Sequence, residues 1–379
     1  MDAVRSNGLA LEFAVGKGLR MDKALVLEAV QCNGLALQHA AEELRADVEV
    51  VAAALAQDRR ALRFTVQELA LEAVQRDGLM LKHVAQDLRE NRAFVLVAVR
   101  QNWRALEFAA PQLCADEAVV LEALGQDGRA LQHAGSSLCA NRALVQQAVQ
   151  KNGTALQFAA EELRANKTLV QLALLQDEHA LEHAGKDTVL QLARQDVQLL
   201  QHAAKDLLAD KALMLEAVRE NSQALQYASA RVRGDQAIVL EAVRRQGRML
   251  QFAAAELRAN RAIVLQAVRQ CATALEFAAD VFRADTVIVL EAVRRDGLAL
   301  QHAAKQQRAD KAVVLEAVRQ NGEALEFAGK ALRADRAVVL EAMQQSRESL
   351  QYAAKELQAN REELVWEAEQ RSGPARVSC

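Results

Sequence analysis

Residues 293–310 read VRRDGLALQHAAKQQRAD, and residues 318–335 read VRQNGEALEFAGKALRAD. The two segments align along their whole length, and His302 in the first stands where Phe327 stands in the second. Identity at 10 of 18 positions, at a separation of 25 residues, indicates an internal repeat, which is the feature that decides the fold.

A motif of the form Leu-x-[Phe/His/Tyr]-Ala marks the repeats, with Thr65 and Val84 in place of its alanine in two of them, and its third position is called the anchor residue here. Anchors follow one another at steps of 25 residues, except for one step of 26 and two of 19. A fixed period of this kind is typical of a solenoid rather than of two or three separate domains. The fifteen anchors are Phe13, His39, Phe64, His83, Phe108, His133, Phe158, His183, His202, Tyr227, Phe252, Phe277, His302, Phe327 and Tyr352.

The first half of a repeat carries a helical pattern. Between residues 323 and 334, Leu325, Ala328 and Leu332 recur at i, i+3 and i+7, which predicts one continuous helix over this range. Few prolines interrupt the chain, which has only two among 379 residues. The composition is therefore that of a helical protein.

The second half of a repeat begins and ends with turn residues. Asp335 is suited to cap a second helix over residues 336–345, because its carboxylate accepts the unpaired N–H groups at a helix start. The pair Asn321 and Gly322 is expected to end the preceding helix, with the glycine in the left-handed conformation. The predicted fold class is all-α: an α-solenoid of about fifteen helical hairpins of 25 residues.

The predicted solenoid covers residues 1–373 as a single domain, and residues 374–379 are predicted to form a short disordered tail. Glu369 stands where earlier repeats carry Val318 or Met343, so it is expected to cap the last repeat with a charge. The first repeat begins within a second helix. This predicts either that the N-terminal face pairs with another surface or that the chain is a fragment of a longer repeat protein.

Two irregular steps, at residues 64–83 and 183–202, each lack six residues. The first has no aspartate turn, and one continuous helix is predicted in place of the hairpin. The second keeps Gly185 and Asp187, which predicts a shortened first helix with its turn retained.

Charge and cysteine content bear on partners and location. The net charge of −3 and isoelectric point of about 6.2 do not favour binding to nucleic acid or to an anionic membrane. No stretch has the uncharged apolar length that a membrane span requires. The five cysteines form no CxxC motif or disulfide framework. An intracellular, cytoplasmic location is therefore predicted.

Three recurring phrases give the chain a family resemblance: Ala-Leu-x-[Phe/His]-Ala, Leu-Arg-Ala-Asp and Val-Leu-Glu-Ala-Val. Together they resemble the domain of unknown function 4116 (DUF4116), a module of about 49 residues that occurs in tandem. The resemblance covers essentially the whole chain. It implies a helical array and brings no established activity or site residues.

Histidine alternates with phenylalanine from His39 to His183, which indicates a duplicated module of 50 residues. Asp or Asn often lies six residues before the anchor, without a contact within one helix to explain it.

Histidines and cysteines are the candidate ligands or nucleophiles. His179 and His183 lie at i and i+4, and Glu178 or Glu182 would have to complete a metal site. The favoured interpretation is that His183 is a half-buried anchor and His179 an exposed polar residue, so no metal or cofactor is predicted. Cys114 and Cys139 replace the usual arginine of equivalent turns. They are too far apart for a disulfide and are interpreted as chance substitutions.

Two further series are polar. Glu or Gln precedes most anchors. Glu316 and Arg319 represent pairs expected to interact at i and i+3. These series form either a solvated face or a polar ladder that contacts an extended partner. The arginines lie in the turn at Arg45, Arg89, Arg164, Arg258, Arg283, Arg308 and Arg333, and after the second helix at Arg269, Arg294 and Arg319.

The sequence contains no GxSxG, GxxxxGK[ST] or GxGxxG motif, so it is not predicted to be an enzyme or to bind a small-molecule substrate. The predicted function is a non-catalytic scaffold whose extended surface binds protein partners, at residues that the sequence does not identify. Two alternatives stay open. One is a reader of single-stranded RNA, in which the anchors stack on bases. The other is a structural spacer or a piece of a larger repeat protein.

Overall fold

The computed structural model describes residues 2–15 and 17–372. The chain divides into two compact regions, Met1–Thr188 and Val189–Cys379, and the boundary falls within the second 19-residue step. Both regions consist of tandem helical repeats, and no strand occurs in the described residues. The predicted all-α repeat fold is therefore confirmed.

A regular repeat contains three helical segments instead of the two predicted. In the repeat that holds Phe327, a 3-10 helix spans Gly322–Phe327, a short α-helix spans Lys330–Arg333, and a long α-helix spans Arg336–Gln345. The three types are called the 3-10 segment, the short helix and the long helix below. The first arm of the predicted hairpin is thus divided in two.

A hydrogen bond to the preceding repeat causes this division. Ala328 and Gly329 have extended backbone, and the Gly329 N–H donates to the Arg308 carbonyl oxygen at 2.7 Å. An N–H used in this way cannot also continue a helix. The prediction of one helix over residues 323–334 is therefore wrong, although Leu325 and Leu332 are both buried, as their spacing indicated.

Side-chain caps begin two of the three segments. Asp335 accepts hydrogen bonds from the Ala337 and Val338 N–H groups at 2.9 and 3.4 Å, which confirms the predicted cap of the long helix. Asn321 accepts from the Glu323 N–H at 3.0 Å and so caps the 3-10 segment. The recurring Asp or Asn six residues before the anchor therefore caps the segment that carries the anchor.

Gly322 is required for a close approach, not for a left-handed turn. None of the described glycines has the positive φ that the sequence prediction assumed. Instead, a Cβ at Gly322 would lie 2.4 Å from the carbonyl oxygen of Ala342 in the following long helix. The glycine lets a 3-10 segment contact the backbone of the neighbouring helix directly.

The core runs along the inner faces of the long helices and 3-10 segments. The long helix Lys311–Gln320 buries Val313, Val314 and Val318, and the adjoining 3-10 segment buries Leu325. Within the second region, the long helix Lys311–Gln320 lies against the long helices Thr286–Arg295 and Arg336–Gln345 of the repeats before and after it. A repeat thus buries its apolar surface on two sides.

The two shortened repeats have the same structure. In the first, a single helix, Gln67–Arg76, replaces the short and long helices, as predicted. In the second, a single helix also forms, over Lys186–Ala193, so the predicted retained turn is wrong. Asp187 lies in the first turn of this helix, where a carboxylate is favourable near the unpaired N–H groups, and it does not cap a separate helix.

Two sequence predictions concern parts of the chain that the structure does not describe, namely the side chain of Glu369 and residues 374–379.

Within the described residues, the 3-10 segments are Gly8–Phe13, Gly34–His39, Arg59–Phe64, Gly78–His83, Trp103–Phe108, Gly128–His133, Gly153–Phe158, Glu178–His183, Val197–His202, Ser222–Gln226, Gly247–Phe252, Ala272–Phe277, Gly297–His302, Gly322–Phe327 and Arg347–Tyr352.

The short helices are Lys17–Met21, Glu42–Arg45, Gln86–Glu90, Pro111–Cys114, Ser136–Cys139, Glu161–Arg164, Lys205–Ala209, Ala230–Arg233, Ala255–Arg258, Asp280–Arg283, Lys305–Arg308, Lys330–Arg333 and Lys355–Gln358. The remaining helices, which include the long ones, are Asp2–Ser6, Lys23–Cys32, Val48–Gln57, Gln67–Arg76, Arg92–Gln101, Glu117–Gln126, Arg142–Lys151, Lys167–Leu174, Lys186–Ala193, Lys211–Glu220, Gln236–Arg245, Arg261–Gln270, Thr286–Arg295, Lys311–Gln320, Arg336–Gln345 and Arg361–Ser372.

Candidate functional site

The anchor residues are half-buried in every repeat except the first, where Phe13 is exposed. For the histidine anchors, this burial disfavours the charged imidazolium. Burial accordingly holds the pKa of His302 below its usual value, and it has the same effect on His83, His133 and His183. These four histidines therefore favour the neutral form at neutral pH.

His179 and His183 do not form a metal site. They lie on a 3-10 segment of three residues per turn, so i and i+4 point in different directions. His179 is exposed, with its Nδ1 atom 3.0 Å from Asp177 Oδ1, and His183 is half-buried, as the sequence analysis favoured. Throughout the described residues, no group of three or more His, Cys, Asp or Glu side chains is arranged to hold a metal ion.

Cys114 and Cys139 are free thiols that point back into their own repeats. Each Sγ atom lies near a carbonyl oxygen at the end of the 3-10 segment, at 3.5 Å from Leu106 O and 3.6 Å from Leu131 O respectively. Burial raises the pKa of both thiols. At neutral pH both thiols are therefore protonated and are poor nucleophiles.

The arginines in the last turn of the long helices connect neighbouring repeats. Arg319 Nε donates to Glu341 of the next repeat at 2.7 Å, and Arg294 Nε donates to Glu316 at 2.8 Å. The predicted pairing of Glu316 with Arg319 inside one helix is therefore wrong, because both side chains pair with a different repeat. The side chains of these arginines already bind glutamates of neighbouring repeats.

A second set of ion pairs joins the starts of the long helices. Lys311 Nζ contacts the Asp335 carboxylate of the following repeat at 2.6 Å, and Lys211 contacts Asp235 at 2.5 Å. Each aspartate also caps its own helix, so the cation holds the cap in its charged form. The hydrogen bond from Lys311 accordingly lowers the pKa of Asp335.

The turn arginines differ from both of these sets. They end the short helices, and their Nε atoms are shielded from solvent without a hydrogen-bond acceptor among the described residues. A buried donor left without an acceptor costs about 1–3 kcal/mol. Eight arginines share this arrangement: Arg20, Arg45, Arg89, Arg164, Arg258, Arg283, Arg308 and Arg333.

The fold does not require arginine at this position. Cys114, Cys139, Leu208 and Gln358 occupy the equivalent place in other repeats. The backbone bond to the next repeat forms with Cys114, Cys139 and Leu208, for example from the Gly135 N–H to the Cys114 carbonyl oxygen at 2.8 Å. Arginine therefore recurs at a position where its burial is unfavourable and where other residues preserve the structure.

Successive turn arginines line a groove in the second compact region. Two adjoining depressions on its surface share Asp280 and Arg283. One extends to Arg258 and the anchor Phe277, and the other extends to the anchor His302 and Arg308. This surface is called the turn-arginine groove.

The groove carries an excess of positive charge. Its lining has four cations, namely Arg258, Arg283, Lys305 and Arg308, against the two anions Glu276 and Asp280. The chain as a whole has a net charge of −3, so the groove differs in sign from the protein. Arg233 and Arg333 extend the series of turn arginines by one repeat in each direction.

Asp280 shows how a carboxylate binds in this groove. It is almost fully exposed, it begins the short helix that Arg283 ends, and its carboxylate accepts a hydrogen bond from Arg283 Nη2. The same position is Ala255 in the repeat of Arg258 and Lys305 in the repeat of Arg308. Arg258 and Arg308 accordingly form no ion pair within the described residues.

The repeat phrases and the helical array agree with one family profile. The profile described as Domain of unknown function (DUF4116) matches residues 22–65, 67–114, 116–164, 144–188, 186–233, 235–283, 260–308 and 310–358. The chain belongs to the DUF4116 family. No curated protein matches it.

Most of these matches span about two 25-residue repeats, as the predicted 50-residue module requires. Two of them, at residues 235–283 and 260–308, begin at equivalent points of successive repeats, so either half of the module can stand first. Among the described residues of this DUF4116 protein, no helix is both long and apolar enough to cross a membrane.

Proposed function

We propose that this DUF4116 protein is a non-catalytic scaffold that binds protein partners along its turn-arginine groove. The observation that carries the proposal is the line of turn arginines Arg258, Arg283 and Arg308 along one groove, where cations outnumber anions although the chain is negative overall. The fold does not need arginine at this position, so its recurrence is best explained by a benefit on binding. The concave or extended faces of repeat proteins are their usual binding surfaces.

The candidate nucleophiles of the repeats support binding rather than catalysis. The half-buried thiols Cys114 and Cys139 have raised pKa values, which disfavours a nucleophilic role. The histidine anchors are part of the repeat, and Phe residues replace them in alternate positions from His39 to His183. The proposal includes no cofactor, and the unpaired cysteines support an intracellular, cytoplasmic location.

Affinity purification of the full chain tests this function. The captured proteins should remain after nuclease treatment, and chemical cross-links should join them to the short helices around Arg258 and Arg308. A chain in which Arg258, Arg308 and Arg333 are replaced by Gln should lose the same proteins. Loss of all captured material on nuclease treatment would instead favour the RNA-binding alternative and contradict the proposal.

A further inference from the structure

We infer that the partner segment is extended and acidic, with carboxylates spaced to match the turn arginines that lack a resident carboxylate. The inference rests on the proposed function, since it names the chemistry that the groove recognises. Its starting point is the Asp280–Arg283 pair, in which the protein itself places a carboxylate on a turn arginine. Arg258, Arg308 and Arg333 end equivalent short helices, which begin with Ala255, Lys305 and Lys330 instead of an acid.

The position of each turn arginine is fixed by the backbone. The carbonyl oxygens of Arg258, Arg283, Arg308 and Arg333 each accept a hydrogen bond from the next repeat, at 3.0, 2.8, 2.7 and 2.8 Å. Packed helices lie about 8–10 Å apart, so successive arginines are separated by roughly that distance. An extended peptide advances about 3.3 Å per residue, and one repeat therefore corresponds to about three peptide residues.

This spacing defines a pattern in the partner. One acid would meet Arg258, and two others would meet Arg308 and Arg333, about six and nine peptide residues further along. About three residues beyond the acid that meets Arg258, the peptide passes Arg283. There Asp280 already binds the guanidinium and would repel a further acid. A neutral or basic residue is expected there. The pattern is acid, basic, acid, acid, with two residues between successive members.

A protein segment fits these charges better than RNA. Glu276 and Asp280 interrupt the cations of the groove, and a continuous chain of phosphates would have to pass both carboxylates. A peptide avoids that repulsion by placing uncharged or basic residues opposite them. The ring of Phe277 is also half-buried, with the Arg248 guanidinium 6.0 Å from its centre, so it is not open for base stacking.

The test is fluorescence anisotropy with the full chain and labelled ten-residue peptides. The spaced peptide carries Glu at positions 1, 7 and 10 and Lys at position 4, with Gly and Ser elsewhere. The clustered peptide has the same composition with its three Glu residues adjacent. At about 150 mM salt, we expect the spaced peptide to bind at least ten-fold more tightly. Equal affinities would overturn the inference.

Two triple variants test whether the turn arginines are responsible. Replacing Arg258, Arg308 and Arg333 by Gln should weaken binding of the spaced peptide at least ten-fold. This change preserves the fold, because Gln358 occupies the same position and donates to its own repeat at 2.7 Å. The control replaces three exposed arginines that end long helices, and it should change affinity less than two-fold. An equal loss in the control would refute a specific site. The control residues are Arg219, Arg244 and Arg295.

Asp280→Asn gives a test that general attraction between charges cannot imitate. In the wild-type protein, the peptide with Lys at position 4 should bind more tightly than the peptide with Glu there. In the variant, the Arg283 guanidinium is released and this preference should reverse. An unchanged preference would contradict the assignment. Tighter binding of a ten-nucleotide oligouridylate than of the spaced peptide would replace the protein segment by RNA as the ligand.

The outcomes separate the inference from the proposed function. If the Gln variant loses the captured proteins and the spaced peptide nevertheless fails to bind the wild-type chain, binding along the groove stands and the acidic-segment inference is overturned. If the Gln variant still captures the same proteins, binding along the groove is contradicted. If nothing survives nuclease treatment, the proposed function itself is contradicted.

Discussion

Gly128 and Gly125 lie only three residues apart, yet they should respond in opposite directions to replacement by alanine. Gly128 begins a 3-10 segment, and a Cβ added there would lie 2.0 Å from the Ala148 carbonyl oxygen in the next long helix. Gly125 lies in the exposed last turn of a long helix, where a Cβ would have no neighbour within 4 Å. The pair therefore separates the effect of close packing from that of backbone freedom.

The magnitudes follow from these distances. Ordinary contact begins at 3.4 Å, so Gly128→Ala requires a displacement of about 1.4 Å between a 3-10 segment and a helix backbone. Overpacking of this kind destabilises by about 1–3 kcal/mol. Gly125→Ala should instead stabilise by about 0.5 kcal/mol, because alanine loses less backbone freedom than glycine in a helix.

Urea unfolding followed by circular dichroism at 222 nm measures both changes. The midpoint should fall for Gly128→Ala and should rise or stay level for Gly125→Ala. The close-approach explanation would be refuted if both variants shifted the midpoint in the same direction. It would also be refuted if Gly128→Ala left the midpoint unchanged, because the glycine would then have no packing role.

Three further predictions concern burial, titration and capping. Ala328→Glu should lower the melting temperature far more than Glu326→Ala, because it buries an uncompensated charge, and similar melting temperatures would contradict the packing described. His302→Phe should flatten the pH dependence of urea stability. Burial lowers the pKa of His302 in the folded state, so its contribution to the free energy of unfolding is present above the unfolded-state pKa of about 6.5. That contribution declines as pH falls below this value. A free energy of unfolding with the same dependence on pH between 5 and 7 in the variant and the wild type would contradict the prediction. Asp335→Ala should lower the free energy of unfolding, measured in urea, by about 1 kcal/mol, whereas Asp335→Asn should lower it much less because asparagine can still cap the helix. Equal losses in the two variants would show that the cap is unimportant.

The sequence predicted those parts of the fold that depend on short-range chemistry. The period of the anchors gave the repeat, and the single carboxylate of Asp335 gave the start of a helix. The continuous helix over residues 323–334 was wrong because a hydrogen bond from Gly329 to another repeat competes with it. Apolar spacing reports which side chains are buried, and it does not report which N–H groups are used outside the segment.

The candidate site was harder to predict for a related reason. The sequence contains two arginine series with the same period, and periodicity alone gives them equal weight. The structure separates them, because Arg269, Arg294 and Arg319 pair with glutamates of the next repeat. Arg258, Arg283 and Arg308 instead line the groove. Asp280 was overlooked, although an acid three residues before Arg283 within one short helix was a readable signal.

The two 19-residue steps have a consequence for how such proteins change. Each deletion removes a short helix, and with it the place of one turn arginine, while the neighbouring 3-10 segment and a long helix remain. Loss of six residues can thus end a run of arginines, and duplication of 25 residues can lengthen one, without redesign of the interior. Under the proposed function, the number of repeats that carry a turn arginine sets the length of the bound segment, so this length can change without altering the residues that keep each repeat folded.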